Sequence, residues 1–197
     1  ISNYALICED KGENDKAIKL YEKCAKIFPN HLYSKLNLSF LYYKLNHLKK
    51  ATLIIEEAIK IKPNLANGYC IKGLILKKLN KFEQSKLSLE KAIELDRNHF
   101  DSYINLGFLL KDYNKYSEAE EYYLKALEIN SKSAIAHLNL GACYKEKEDI
   151  DKAIFHTKMA INLDNKLENC NLNLAAIYNQ KGDYKKSLLL AKKELLL

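Results

Sequence analysis

Shifted along itself by 34 residues, this 197-residue chain matches itself. Asn105-Leu106-Gly107 returns as Asn139-Leu140-Gly141, Ala119 as Ala153 and Ala126 as Ala160. A period of this size marks a solenoid, in which each small unit buries its apolar face only against its neighbours. Three series of small residues keep the register. They are Ala17, Ala51, Ser85, Ala119, Ala153, Ser187; Cys24, Ala58, Ala92, Ala126, Ala160, broken at Glu194; and Ala5, Ser39, Gly73, Gly107, Gly141, Ala175. Small residues in register let two helices approach closely, because the distance between axes is set by the side chains at the contact.

Within a period, apolar positions recur at helical spacing, as in Leu36, Phe40, Tyr43 and in Ala119, Tyr122, Tyr123, Ala126. Short polar turns separate two helices in each unit: Lys11-Gly12-Glu13-Asn14, Leu45-Asn46-His47, Leu79-Asn80-Lys81, Tyr113-Asn114-Lys115 and Lys181-Gly182-Asp183. Gly and Asn there suit the left-handed conformation of a helix end. Pro29 and Pro63 stop second helices, and Asp96-Arg97-Asn98, Asn130-Ser131-Lys132 and Asp164-Asn165-Lys166 stand in the same place later. The spacing therefore predicts an all-α array of six helix–turn–helix units, 1–31, 32–65, 66–99, 100–133, 134–167 and 168–197. Residue 1 falls at the fourth position of its unit and Leu197 inside a second helix, so the array reads as an excerpt of a longer protein.

These residues resemble the tetratricopeptide repeat family, whose 34-residue pattern runs aromatic, Leu-Gly, Tyr, Ala, a large residue, Ala, Pro. Tyr103, Leu106, Gly107, Ala119, Tyr123 and Ala126 match it, as do Leu140, Gly141, Tyr144, Ala153 and Ala160. Lys35 and Asn171 depart at the aromatic, Lys72 at the Leu and Glu194 at the second Ala. The resemblance covers the whole chain and implies a right-handed superhelical solenoid whose concave groove is lined by first helices. It also implies a protein-interaction scaffold that binds an extended peptide or partner segment. The other reading is a substrate-presenting or regulatory arm of a larger enzyme, such as a transferase, with its catalytic domain outside this chain.

Several function classes find no support. No run approaches the about 18 apolar residues needed to span a bilayer, and no basic head with a long apolar core opens the chain. Five cysteines without a Cys-x-x-Cys pair read as reduced thiols in a cytoplasmic setting. His31, His47, His99, His137 and His156 lie away from one another and from cysteine in sequence, so neither metal nor cofactor is expected. Neither a phosphate loop nor a nucleophile elbow is present, and the chain is not expected to be an enzyme. The net charge of +7 is concentrated in residues 32–99, a local basic patch. Nucleic acid is not expected as a partner, because RNA-reading helical repeats use a 35-residue unit with other anchors.

Recognition is the better-supported role. Two residues before the small first-helix position stand Asn3, Asn37, Asn105, Asn139 and Asn173, with Ile71 as the exception. The resemblance puts this position on the concave face, similar to the asparagine ladder of the repeat region of O-linked N-acetylglucosamine transferase. A primary amide offers two donors and an acceptor, enough to clamp a peptide group from both sides. The other reading is that Asn is simply common in the consensus. Lys44, Lys77, Lys78, Lys111 and Lys145 end first helices, where they complement the helix dipole or line a basic groove for an acidic peptide. Phe40 and Phe108 on the same face are either core or contact. Chaperone-tail binders of the family use a Lys/Asn clamp, but the corresponding positions here include Leu36, Phe40, Ile71, Asp101 and Asn105, so that ligand is not expected. Leu188, Leu189, Leu195, Leu196 and Leu197 should be left uncovered in the last unit, a surface for self-association.

Overall fold

The structure, a computed structural model, describes residues 1–194, with residues 193 and 194 by backbone alone. Among them are twelve α-helices and no strand. They are α1 (Ser2–Asp10), α2 (Asn14–Ile27), α3 (Leu32–Lys44), α4 (Leu48–Ile61), α5 (Ala66–Lys78), α6 (Phe82–Leu95), α7 (Phe100–Asp112), α8 (Tyr116–Ile129), α9 (Ala134–Glu146), α10 (Ile150–Leu163), α11 (Cys170–Gln180) and α12 (Tyr184–Glu194). The chain is thus all-α, with two helices to each 34-residue period. It divides into two compact units, Ile1–Ser102 and Tyr103–Leu197. In the first, α1 packs on α2, α3 on α4 and α5 on α6, while the first helices α1, α3 and α5 also touch in sequence. In the second, α9 packs on α10 and α11 on α12, and the first helices α9 and α11 touch.

The small-residue register is the packing register. Ala17, Ala51, Ser85, Ala119 and Ala153 are fully buried, as are Ala58, Ala92, Ala126 and Ala160. A Cβ added at Gly73 would stand 2.6 Å from Leu89, and one at Gly107 would stand 2.6 Å from Tyr123. Both neighbours are themselves fully buried. Where the series carries serine, the hydroxyl closes the gap. Ser39 Oγ donates to the Ala51 carbonyl at 2.9 Å and Ser85 Oγ to that of Gly73 at 2.7 Å. Ser187, by contrast, is only half-buried.

Every turn between paired helices uses one left-handed residue, again 34 apart: Gly12, Asn46, Asn80, Asn114, Glu148 and Gly182, all with φ between 57° and 84°. The following backbone N–H returns to the helix five residues earlier, as in His47 to Tyr42 at 2.8 Å and Asp149 to Tyr144 at 2.9 Å. This satisfies carbonyls the helix leaves open. Between units, where proline is missing, the side chain supplies the stop. Asp96, Asn130 and Asp164 each accept, through Oδ1, the backbone N–H two residues on, at 2.9–3.1 Å.

The departures from the consensus are accommodated individually. Lys35 is buried, with Nζ 2.5 Å from Glu57 Oε2. Lys72 lies half-buried with its ammonium 3.6 Å from Glu56, its stem covered and its head reaching the surface. Leu188 and Leu189 of α12 are exposed, as expected of the last unit, and Tyr184 at the start of the same helix is exposed as well. The expectation for Leu195, Leu196 and Leu197 lies outside the described residues. No described helix is long and apolar enough to cross a membrane.

Candidate binding surface

In the first compact unit the C-terminal ends of first helices carry a chain of aromatic and charged groups. Phe40 and Tyr43, one turn apart on α3, stack with ring centroids 5.8 Å apart. Lys44 lies 5.3 Å over Phe40, and its Nζ pairs with Glu9 Oε1 on α1. Lys78, at the end of α5, lies 4.4 Å over Tyr43 and donates to the Tyr43 carbonyl at 3.1 Å. Phe40 is exposed while Tyr43 and Lys77 are half-buried. Each lysine thus reaches back along the array to the preceding first helix, neutralising a carboxylate or a helix-end carbonyl and capping an aromatic face.

Of the asparagine series in this unit, Asn37 is half-buried and donates a long 3.4 Å bond to the Tyr21 hydroxyl. That hydroxyl in turn donates to Glu9 Oε2 at 3.4 Å. Burial, together with Glu9, pushes the Tyr21 hydroxyl up to about 12 against the opposing bond from Asn37, so the phenol stays protonated. Asn3 on α1 is exposed. Ile71, the exception, packs half-buried against the apolar core of α1 to α5 and offers no amide.

In the second unit the same positions are used differently. Asn139 is buried. Its Oδ1 accepts from Lys111 Nζ at 2.8 Å, and its Nδ2 donates to the Ile135 carbonyl one turn back at 2.7 Å. Lys111 also lies 5.0 Å over Phe108, which meets Tyr123 edge-on at 6.1 Å. Asn105, Phe108 and Asn173 are half-buried. Lys145 pairs with its neighbour Glu146 at 2.7 Å, and its carbonyl accepts from Gln180 Nε2 at 3.5 Å. Lys145 and Asn139 therefore take part in separate contacts.

Two histidines set aside by sequence spacing come together here. His137 on α9 and His156 on α10 face each other with Nδ1 atoms 2.9 Å apart and ring centroids 5.2 Å apart. Burial, and after it the neighbouring His137 ring, pushes the His156 imidazole down to about 4, and burial lowers His137 as well. Both are therefore neutral at pH 7. The signal was available in the register: the preceding period carries Tyr103 and Tyr122 in these two places, in ring contact at 6.4 Å. A second concavity in the first compact unit lies between α2 and α4, floored by Leu38 and Tyr42 with Leu53 at its edge. There Tyr42 donates to Glu22 Oε1 at 2.8 Å. Among the described residues no three His, Cys, Asp or Glu side chains gather so as to hold a metal ion. The five cysteines are all free and buried.

Repeat models described as tetratricopeptide repeat match residues 10–68, 66–99, 100–133 and 122–155. No curated protein matches the chain. Among solved structures, the chain is similar to MamA at 25% identity and a TM-score of 0.68, over 82% of this chain and 95% of that one. It is similar in fold to YrrB, described as a TPR protein with an unusual peptide-binding site, at 20% identity and a TM-score of 0.67, over 89% and 90%. The type IV pilus biogenesis factor PilW superposes with a TM-score of 0.89 at 18% identity, over 98% and 89%. From the 34-residue packing register, the left-handed turn in every period and these matches, the chain belongs to the tetratricopeptide repeat family.

Proposed function

We propose that this chain is a non-catalytic protein-interaction scaffold that binds an extended, acidic peptide along its first helices. The observation that supports this most is the Phe40–Tyr43–Lys44–Lys78 cluster. An exposed aromatic edge lies beside two ammonium groups that themselves lie over aromatic rings. Groups of this kind act as binding anchors, because an aromatic buries large area at low entropic cost and a held cation needs little further ordering. An acidic side chain can compete with Glu9 for Lys44, and the peptide backbone can replace the long Asn37–Tyr21 bond. Asn37, Phe40, Lys44, Lys77 and Lys78 form the core of the proposed surface. Asn139 and Lys111, already bonded to each other, contribute only by exchanging that bond for one to the ligand.

The test is selection of peptides from a displayed random library on the whole chain, followed by titration of the best one. Phe40→Ala and Lys78→Ala should each weaken it by about 1–2 kcal/mol, and added salt should weaken it further. Selected peptides without acidic enrichment, or bound equally by both variants, would refute this assignment.

A further inference from the structure

We propose that the groove between α2 and α4 docks a partner-protein segment that inserts one large apolar side chain flanked by carboxylates. The groove is separate from the Phe40–Lys44 cluster. At 3.6 residues per turn, Leu38 and Tyr42 lie one turn apart on α3, nearly opposite Phe40 and Lys44. These two form the floor, with Ala25 of α2 and Ile54 of α4 as half-buried walls. Leu53 stands at the edge with 61% of its surface exposed. The groove offers about 530 Å³, within the range of pockets that hold a ligand.

Charge decides the partner. Both carboxylates that line the groove are already committed inside the chain: Glu22 accepts from the Tyr42 hydroxyl at 2.8 Å, and Glu57 pairs with Lys35 at 2.5 Å. The ammonium groups of Lys26 and Lys50 at the rim are not. Lys50 lies 5.2 Å over the Tyr42 ring, and among the described residues neither lysine pairs with a carboxylate. Lys19, one turn before Glu22, and Lys60, one turn after Glu57, extend the cationic edge, and both are exposed. An apolar centre inside a rim of one charge sign selects its partner by complementary charge. Carboxylates on the incoming segment pair with Lys26 and Lys50 without displacing an existing ion pair.

The register shows that this opening belongs to one period rather than to the repeat. One period on, Lys72 stands in the place of Leu38, and its ammonium lies 3.6 Å from Glu56, the counterpart of Glu22. The lysine stem thus runs across the floor. Three periods on, His137 and His156 replace Lys35 and Ile54 and bring their rings into contact at 5.2 Å. Tyr144, the counterpart of Tyr42, stacks on His156 at 5.4 Å, and Phe155, in the place of Leu53, meets it edge-on at 5.1 Å. Side chains of the chain itself occupy both counterparts. Between α2 and α4, the Leu53 side chain and the two ammonium groups face solvent instead.

The test is selection from a displayed random-peptide library on the whole chain, after depletion on the Leu53→Glu variant. Depletion removes peptides held by the first-helix surface, which that variant retains. Leu53 is exposed, so the substitution leaves the core untouched, and helical circular dichroism checks this. Peptides that survive should carry one large aliphatic or aromatic residue flanked by Asp or Glu. They should bind the wild type and Phe40→Ala alike. On Leu53→Glu, and separately on Lys26→Glu with Lys50→Glu, they should lose about tenfold or more in affinity. No peptide surviving depletion, survivors without acidic enrichment, or survivors that bind the lysine double variant as tightly as the wild type would each overturn the assignment. If Leu53→Glu does not fold, the lysine double variant takes its place in the depletion.

Discussion

Gly141→Ala tests whether the glycine register holds α9 against α10. A Cβ at Gly141 would stand 2.3 Å from Thr157 Oγ1 and 3.2 Å from both the Ala153 carbonyl oxygen and the Thr157 nitrogen. Ordinary contact begins near 3.4 Å, so the hydroxyl must give way by about 1 Å. Thr157 is fully buried, and its Oγ1 donates to the Ala153 carbonyl at 2.8 Å, so giving way breaks a hydrogen bond or spreads the helices. Overpacking of this kind costs about 1–3 kcal/mol, against a gain of about 1 kcal/mol for alanine over glycine inside a helix. The net should be a loss of up to about 2 kcal/mol, or up to about 8 °C in Tm for a chain of this length. Thr157→Ala removes the colliding oxygen, and the sixth unit already carries Ala175 and Ala191 at these two positions. The double variant should therefore recover most of the loss, with a coupling of about 1–2 kcal/mol. Repeat arrays can unfold in parts. Urea unfolding by circular dichroism should therefore be paired with hydrogen exchange at α9 and α10 amides, which reads the change locally. Additivity of the two substitutions, or a stabilising Gly141→Ala, would refute the close-approach argument.

Two register-equivalent tyrosines should respond oppositely to loss of the hydroxyl. Among the described residues the buried Tyr123 hydroxyl has no hydrogen-bond partner, whereas that of Tyr21 bonds to Asn37 and Glu9. Tyr123→Phe should raise the urea midpoint by the equivalent of about 1 kcal/mol, and Tyr21→Phe should lower it by about 0.5–1.5 kcal/mol; two shifts of the same sign would defeat the comparison. Glu148, at φ 61°, holds the left-handed turn position that Gly or Asn holds in the other five periods. Glu148→Gly should stabilise by about 0.5–1 kcal/mol in thermal melts, and a destabilised variant would show that the Glu148 side chain contributes more than its backbone strain takes away.

The fold was legible because a solenoid repeats its constraints. A single Ala or Gly says little, but Ala17, Ala51, Ala119 and Ala153 at one spacing leave only one packing register, and all four are fully buried. Left-handed turns followed from Gly and Asn in the same way, except at Glu148, where the tight turn overrides the residue's preference. The stops at Asp96, Asn130 and Asp164 were legible as positions, but their physical cause, a side-chain oxygen accepting a backbone N–H, emerges only from the geometry. The His137–His156 pair escaped spacing arguments because its members are 19 residues apart, across a helix hairpin. Comparison with Tyr103 and Tyr122 is what would have exposed it.

The asparagine series marks the limit of reading sites from a repeat. Asn37 and Asn139 are three periods apart, as are Tyr21 and Tyr123, and also Glu9 and Lys111. On sequence position the two trios are the same place. Yet Glu9 accepts from the Tyr21 hydroxyl, leaving the Asn37 amide one long bond, while Lys111 can only donate and so takes the Asn139 carbonyl oxygen. With that oxygen taken, the Asn139 NH₂ turns back to Ile135, and the Tyr123 hydroxyl lacks both partners that Tyr21 has. One change of charge sign at the end of a first helix thus decides whether the neighbouring amide stays loosely held or becomes part of the framework. A consensus that scores Asn alone merges the two cases. The availability of each amide follows from the charge at position 9 or 111, which is why the proposal centres on Asn37 rather than Asn139.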